Sequence, residues 1–270
     1  MNKRYVEVFN LRKSYDTPDG PLTIVEEISF SMAAGEFACL LGHSGCGKST
    51  VLSIVAGLVE ADSGGVAVDN REVDGPGPDR AMVFQAPNLL PWLTALQNVM
   101  LGVNQVYRHV PKKTRTEVAR YYLDLVGLLP HCHTMASELS QGMQQRVSIA
   151  RAVALQPKLL LLDEPFGMLD SLTRMELQDV MLHVLARENI AALMVTHDVD
   201  EALLMADRVL MMTNGPRARI GADYRLPFPR PRERAAVLQH PDYYPMREQL
   251  MEFLEAADRE AEVAGAAQGG

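Results

Sequence analysis

The sequence lacks the long apolar runs of a membrane-spanning chain. A bilayer-crossing helix needs roughly 18 to 20 consecutive apolar residues, and the longest candidates here are residues 159–162 and 190–195. The chain is not expected to span a membrane by itself. Met1-Asn2-Lys3-Arg4-Tyr5 contains no apolar signal core, so nothing directs export and a cytoplasmic address is expected. Cysteine is scarce. Cys39, Cys46 and Cys132 make an odd number without CxxC spacing, which argues against a disulfide framework and for a reducing compartment; all three read as small buried hydrophobes. Basic charge is not in excess: 26 Lys and Arg stand against 34 Asp and Glu, a formal net charge of −8. That balance excludes a broad attraction to nucleic-acid phosphates. Apolar content, by contrast, is high at 47% of 270 residues, enough to bury a sizeable core in one large or two unequal globular units.

Short apolar runs between turn signals fill the first third, at residues 6–11, 28–32, 37–41 and 66–68, and each is expected to be a strand. Residues 49–58 lack proline and meet their first glycine at Gly57, so a helix ending there is expected. The middle turns helical, with Val118, Tyr121, Tyr122 and Leu125 in phase and breaks at Pro91, Pro111, Gly127 and Pro130. Strands and helices then alternate: helix 141–155, strand 159–162, helix 171–187, strand 190–196, helix 200–206 and strand 208–212. This order predicts an α/β fold with a largely parallel sheet covered on both faces. Residues 227–232 read as an extended connector, and Met246, Leu250, Phe253 and Leu254 share one face of a last helix over 246–257. The Ala-, Gly- and Gln-rich end is expected to fray.

Gly42-His43-Ser44-Gly45-Cys46-Gly47-Lys48-Ser49-Thr50 lies between the apolar run 37–41 and a helix-compatible stretch, the setting a phosphate-binding loop requires. Glycines let backbone N–H groups point at a polyphosphate, and the following helix offers its positive end. Lys48 can reach the β- and γ-phosphates, and Ser49 has a hydroxyl for Mg²⁺. Leu159-Leu160-Leu161-Leu162-Asp163-Glu164 supplies a second element. Four leucines suit a strand buried on both faces, and its acidic end falls where open α/β sheets place their ligands. Asp163 is read as a Mg²⁺ holder and Glu164 as the group that polarises attacking water. His197, after the next strand, is read as a γ-phosphate partner, and Gln85, after residues 81–84, as a side-chain oxygen for Mg²⁺ or water. Each piece has an ordinary structural alternative: a glycine turn, a core strand ending in solvated acids, a capping histidine. Their occurrence together favours the nucleotide reading.

Leu139-Ser140-Gln141-Gly142-Met143-Gln144-Gln145-Arg146 resembles the signature of ATP-binding-cassette (ABC) ATPases. Ser140 can cap the following helix while Gly142 allows close approach to a phosphate. The resemblance covers about residues 5–225. It implies a P-loop NTPase fold with a RecA-like mixed-sheet core, an antiparallel β subdomain and an inserted helical subdomain at about 88–157. The ATPase domain would occupy residues 1–225, with a C-terminal extension at 226–270. In that family's terms Tyr15 looks like the aromatic that stacks on adenine, residues 42–50 the phosphate loop and Gln85 the Q-loop. Asp163 corresponds to the metal-binding acid, Glu164 to the catalytic base and His197 to the switch histidine. Gly167-Met168-Leu169-Asp170 is similar to the D-loop, Asp170 helping to couple two sites. ATP and Mg²⁺ are the implied cofactors. A single copy of each element implies a second ATPase subunit, because the family's site pairs one subunit's phosphate loop with another's Ser140–Gln141–Gly142 segment. Permease subunits, and through them a solute-binding protein, are further implied partners, and nucleic acid is not. The chain would thus lie peripherally on the inner face of the plasma membrane.

Two positions depart from the family pattern. Gln141 stands where many members have glycine and restricts backbone approach on the signature side; Met143 replaces a common glutamine, as it does in anion importers of the family. The chain resembles the nitrate, nitrite and cyanate branch of importers, near the sulfonate and taurine branch. That likeness rests on His43, on Phe84-Gln85-Ala86-Pro87-Asn88-Leu89-Leu90-Pro91-Trp92, on Pro229-Arg230-Pro231-Arg232 and on His240-Pro241-Asp242-Tyr243-Tyr244. A sulfonate or taurine importer subunit, or a P-loop ATPase outside transport, are the alternatives. Kinases lack the signature, repair ATPases insert long coiled coils and translation ATPases carry two cassettes, so none of these fits well.

Overall fold

Alternating apolar residues build the first sheet, and two breaks in that alternation shape it. A computed structural model describes residues 4–18 and 20–268. In chain order the elements begin with β1 (Arg4–Thr17), β2 (Gly20–Ala33), β3 (Phe37–Leu41), α1 (Lys48–Val55), β4 (Ser63–Val68), β5 (Arg71–Glu72) and β6 (Arg80–Val83). Next come α2 (Ala95–Val106), α3 (Lys112–Leu125), α4 (Gln141–Val153), β7 (Leu159–Asp163) and α5 (Ser171–Glu188). The chain ends with β8 (Ala191–Thr196), α6 (Val199–Met205), β9 (Arg208–Met212), β10 (Ile220–Arg225), α7 (Arg234–Leu238) and α8 (Tyr243–Gln268). Two compact units result, one from residues 1–76 and 193–270 and the other from 77–192. Residues 226–270 therefore belong to the first unit. α8 runs to Gln268, beyond the helix end expected near residue 257 and through most of the Ala-, Gly- and Gln-rich stretch expected to fray; Gly269 and Gly270 lie outside the described residues.

In the first unit, β2-β1-β4-β5 form an antiparallel sheet. Val6 and Val8 point into the core, yet so does Leu11, which strict alternation would turn outward. A register shift between Val8 and Leu11, with Asn10 at φ 47°, resets the phase; Glu27 at φ 54° does the same between Val25 and Ile28. Bulges of this kind keep both apolar sets inward. They also explain why β1 and β2 run longer than the short segments expected from the sequence. The same unit holds the strand order β10-β9-β3-β8. β3 pairs parallel with β9, and β10 closes the edge antiparallel. All five residues of β3 are buried, as a strand covered on both faces requires. β10 escapes the sequence reading because its positions alternate only between half-buried and exposed.

In the second unit β6 and β7 pair parallel, from Arg80 opposite Leu159 to Val83 opposite Leu162. α2 opens with a capping box in which Thr94 and Gln97 satisfy each other's backbone N–H groups. Buried Asn98 accepts from Leu90 N and donates to the carbonyls of Leu90, Leu93 and Thr94, tying down the loop that precedes the helix. α2 and α4 approach so closely that a methyl on Gly102 would lie 2.4 Å from the Arg151 carbonyl.

The extended connector at 227–232 docks on one carboxylate. Asp207 accepts from Phe37 N at 2.9 Å, from Arg232 at 3.1 Å and from both Nε and Nη2 of Arg230. The Arg232 side chain is 2% exposed and also donates to the Ala206 and Phe228 carbonyls. Removing the carboxylate would leave this guanidinium buried without its counter-charge. Asp207→Ala should therefore destabilise the protein by about 3 kcal/mol, and proteolytic cleavage within 226–242 should accelerate; urea denaturation and limited proteolysis check both.

Candidate nucleotide site

β3 ends at Leu41, and the chain then wraps a loop around the Lys48 ammonium. Lys48 is 4% exposed, and its Nζ donates to the Gly42 and His43 carbonyls at 2.7 Å each, with Cys46 Sγ at 3.9 Å. Gly47 is the N-cap of α1 at φ 98°, and a methyl there would lie 2.6 Å from Val25 Cγ1 and 2.8 Å from Ile24 Cγ2. Glycine is required on both counts. No acidic residue stands in the first turn of α1, so its positive end is not offset. Ser44, Gly45 and Ser49 are exposed, and Thr50 is half-buried. All three cysteines are free and buried, in line with the sequence reading. Burial pushes the Cys46 thiol up, opposed by the Lys48 charge, and raises Cys39 further. Neither is a nucleophile in this state.

The loop borders a cavity of about 420 Å³ lined by His43, Ser44, Gly45 and Cys46 together with Leu22 and Asp258. Leu22 is the cross-strand partner of Tyr15, whose ring is 41% exposed with Lys13 Nζ 5.5 Å from its centroid. Also in the first unit, exposed His197 follows β8 on a braced turn. Thr196 Oγ1 donates to Glu201 at 2.8 Å and accepts from Asp198 N, while Asp198 caps α6 by accepting from Asp200 N and Glu201 N.

In the second unit, β7 delivers Asp163 and Glu164 half-buried at its carboxyl end. Glu164 adopts φ 44°, a left-handed conformation that costs a non-glycine residue about 1 kcal/mol. Gln85 comes to the same place: a methyl built on Gly167 would lie 3.2 Å from Gln85 Nε2 and 3.7 Å from Glu164 Oε2. On the signature, Ser140 caps α4 by accepting from Met143 N, and Gln141 is exposed on the first turn. Gly142 is buried against α5, where a methyl would come within 2.3 Å of Thr173 Cγ2. Asp170 caps α5; hydrogen bonds from Thr173 hold its carboxyl below the usual range. The structure thus brings Gln85 to Glu164, and Gly142 to the helix that Asp170 begins.

The ABC transporter family model matches residues 25–167. The chain belongs to the ABC transporter family. It is 47% identical over 254 residues to the nitrate import ATP-binding protein NrtD of Synechococcus elongatus, covering 94% of this chain and 93% of that protein. To the bicarbonate transport ATP-binding protein CmpD of the same species it is 45% identical over 250 residues, covering 93% and 90%. Among solved structures, the dimeric post-hydrolysis ATP-binding cassette MJ0796 bound to ADP and phosphate superposes with a TM-score of 0.73 at 30% identity, covering 82% of this chain and 98% of that one. The protein is an ABC-type ATP hydrolase with the mixed α/β ABC ATPase fold. Among the described residues no helix is long and apolar enough to cross a membrane.

One residue of this ABC ATPase that sequence reasoning quoted without a role is Gln145. It is 1% exposed, and its Nε2 donates to the Phe84 carbonyl at 2.9 Å and the Pro165 carbonyl at 3.1 Å. Phe84 precedes Gln85 and Pro165 follows Glu164, so one amide fastens the backbones of both. The signal was present: Gln145 is a long polar residue on a helix face that it shares with buried Ile149 and Ala152. Gln145→Leu would strand two carbonyls and should cost about 1–3 kcal/mol in urea denaturation; an unchanged midpoint would show that the two segments hold their places without it.

Proposed function

We propose that this chain is the ATPase subunit of an importer for a small planar oxyanion, with nitrate as the leading solute. The observation that carries the ATP half is the buried Lys48 ammonium, held at 2.7 Å by two loop carbonyls at the start of α1. Lys48, the loop N–H groups and the N-terminus of α1 receive the triphosphate, and Tyr15 offers an exposed face to the base. Ser49, Asp163 and Gln85 present a hydroxyl, a carboxylate and an amide carbonyl, the all-oxygen donors that suit Mg²⁺. When bound with the nucleotide, Mg²⁺ neutralises phosphate charge. Glu164 takes the proton of the attacking water, Gln85 beside it orients that water, and His197 donates to the γ-phosphate. Catalysis on this reading is positioning and charge neutralisation rather than covalent chemistry.

Pairing of two ATPase subunits is supported by the dimeric state of MJ0796 in its solved structure. Ser140, Gln141 and Gly142 of one subunit would then cover the loop-bound nucleotide of the other, and Asp170 would link the two sites. Trp92, 66% exposed on the segment after Gln85, supports a permease contact there. A peripheral place on the inner membrane face follows from that contact. As to solute, the relatives are named for nitrate at 47% identity and for bicarbonate at 45%. Both anions are planar, trigonal and singly charged.

Glu164→Gln keeps the binding contacts but removes the base, so ATP turnover should fall by about 10²- to 10⁴-fold while ATP binding persists; unchanged turnover sinks the assignment. Cells lacking this chain should lose uptake of labelled nitrate and retain uptake of taurine. Loss of bicarbonate uptake instead would move the solute to the second relative's class.

A further inference from the structure

α8 packs on the first unit through buried Tyr243, Leu250, Leu254 and Ala257, a stripe at helical spacing. Two polar contacts fix its position along the groove. Near its start, Asp200 on α6 accepts from Tyr243 Oη at 2.7 Å and from Arg247 Nε at 2.8 Å. Burial opposes ionisation of Asp200, but these donors hold its carboxyl below the usual range. Asp200 stands three residues after His197, so the helix is anchored on the element that the histidine turn begins.

About three turns further on, α8 reaches the phosphate loop itself. His43 Nε2 lies 3.1 Å from the Leu254 carbonyl and 3.2 Å from Asp258 Oδ1. Both partners are acceptors, which fixes the hydrogen on Nε2. Asn214, on the turn after β9, donates to the same Asp258 oxygen at 3.0 Å. Asp258 thereby joins two loops that flank the cavity beside Ser44 and Gly45, and it forms part of that cavity's wall. The His43 carbonyl is one of the two that hold Lys48. A displacement of His43 is therefore transmitted directly to the ammonium.

We propose that Asp258 is a positioning residue for the phosphate loop: through His43 it sets where the first turn of the loop stands, so affinity for ATP depends on the C-terminal helix while the chemical step does not. The proposal rests on residues 42–50 being the triphosphate site. The contact is half-exposed, at 35% for His43 and 54% for Asp258, which limits its strength to that of a partly screened pair.

The test uses the purified full-length chain, with a fluorescent ATP analogue for affinity and phosphate release for turnover. Asp258→Ala should weaken binding about two- to fivefold and leave kcat within about twofold. Asp258→Asn keeps an oxygen for both donors and should restore affinity, and in a His43→Ala background the alanine change should add nothing. Wild-type affinity in Asp258→Ala, an Asn variant as weak as the Ala variant, or additive losses would each overturn the proposal. So would tighter binding in Asp258→Ala, the result expected of a carboxylate that merely repels phosphate. Lys48→Ala separates the two levels. If it binds ATP normally, the loop reading fails; if it loses ATP while Asp258→Ala is silent, only the role of Asp258 fails.

Discussion

A buried cation surrounded by neutral acceptors is the constraint on which the first unit is organised. Taking an ammonium out of water is costly unless it is well hydrogen-bonded, and Lys48 meets that cost with the carbonyls of Gly42 and His43. Carbonyl dipoles satisfy the donors without cancelling the charge, so the loop keeps an appetite for an anion. The surroundings preserve it. β3 is buried at every position and fixes where the loop starts, Gly47 takes a backbone angle that few other residues tolerate, and α1 begins without a carboxylate. An acid in that first turn would pair with the lysine and cancel that charge.

The C-terminal segment is built on the same sheet rather than hung from it. Asp207 lies just before β9 and holds both arginines of the connector, with Arg208 beside it gripping Asp223 bidentately at 2.6 Å and the Ser31 carbonyl at 2.6 Å. The Arg232 and Arg208 side chains are themselves mostly buried, so fewer waters compete for their donors than on an open surface. The tail thus inherits the rigidity of β9, which is why α8 arrives at a defined place on the loop.

Strand, loop and helix were legible because they follow from local pattern: the apolar run of β3, the glycines, and the absence of helix breakers through α1. The four leucines before Asp163 likewise announced a doubly buried strand. Three features were not legible, each for a physical reason. The phase resets at Asn10 and Glu27 are left-handed residues without a glycine to mark them. β10 is an edge strand with too little burial to impose alternation. The partners of Gln145 and His43 lie 61 and 211 positions away along the chain, so although Gln145 stands out on its helix face, no spacing rule reads what it or the α8 carbonyl touches. The last helix was found by its apolar face, but its stripe named no destination.

The contact between Gly142 and Thr173 has a consequence for motion. Only a hydrogen atom fits between that glycine and the threonine methyl, so the N-terminal ends of α4 and α5 are in direct contact. Close packing at this point couples the signature turn to the first turn of α5, where Asp170 is the cap. A shift of either turn therefore presses directly on the other.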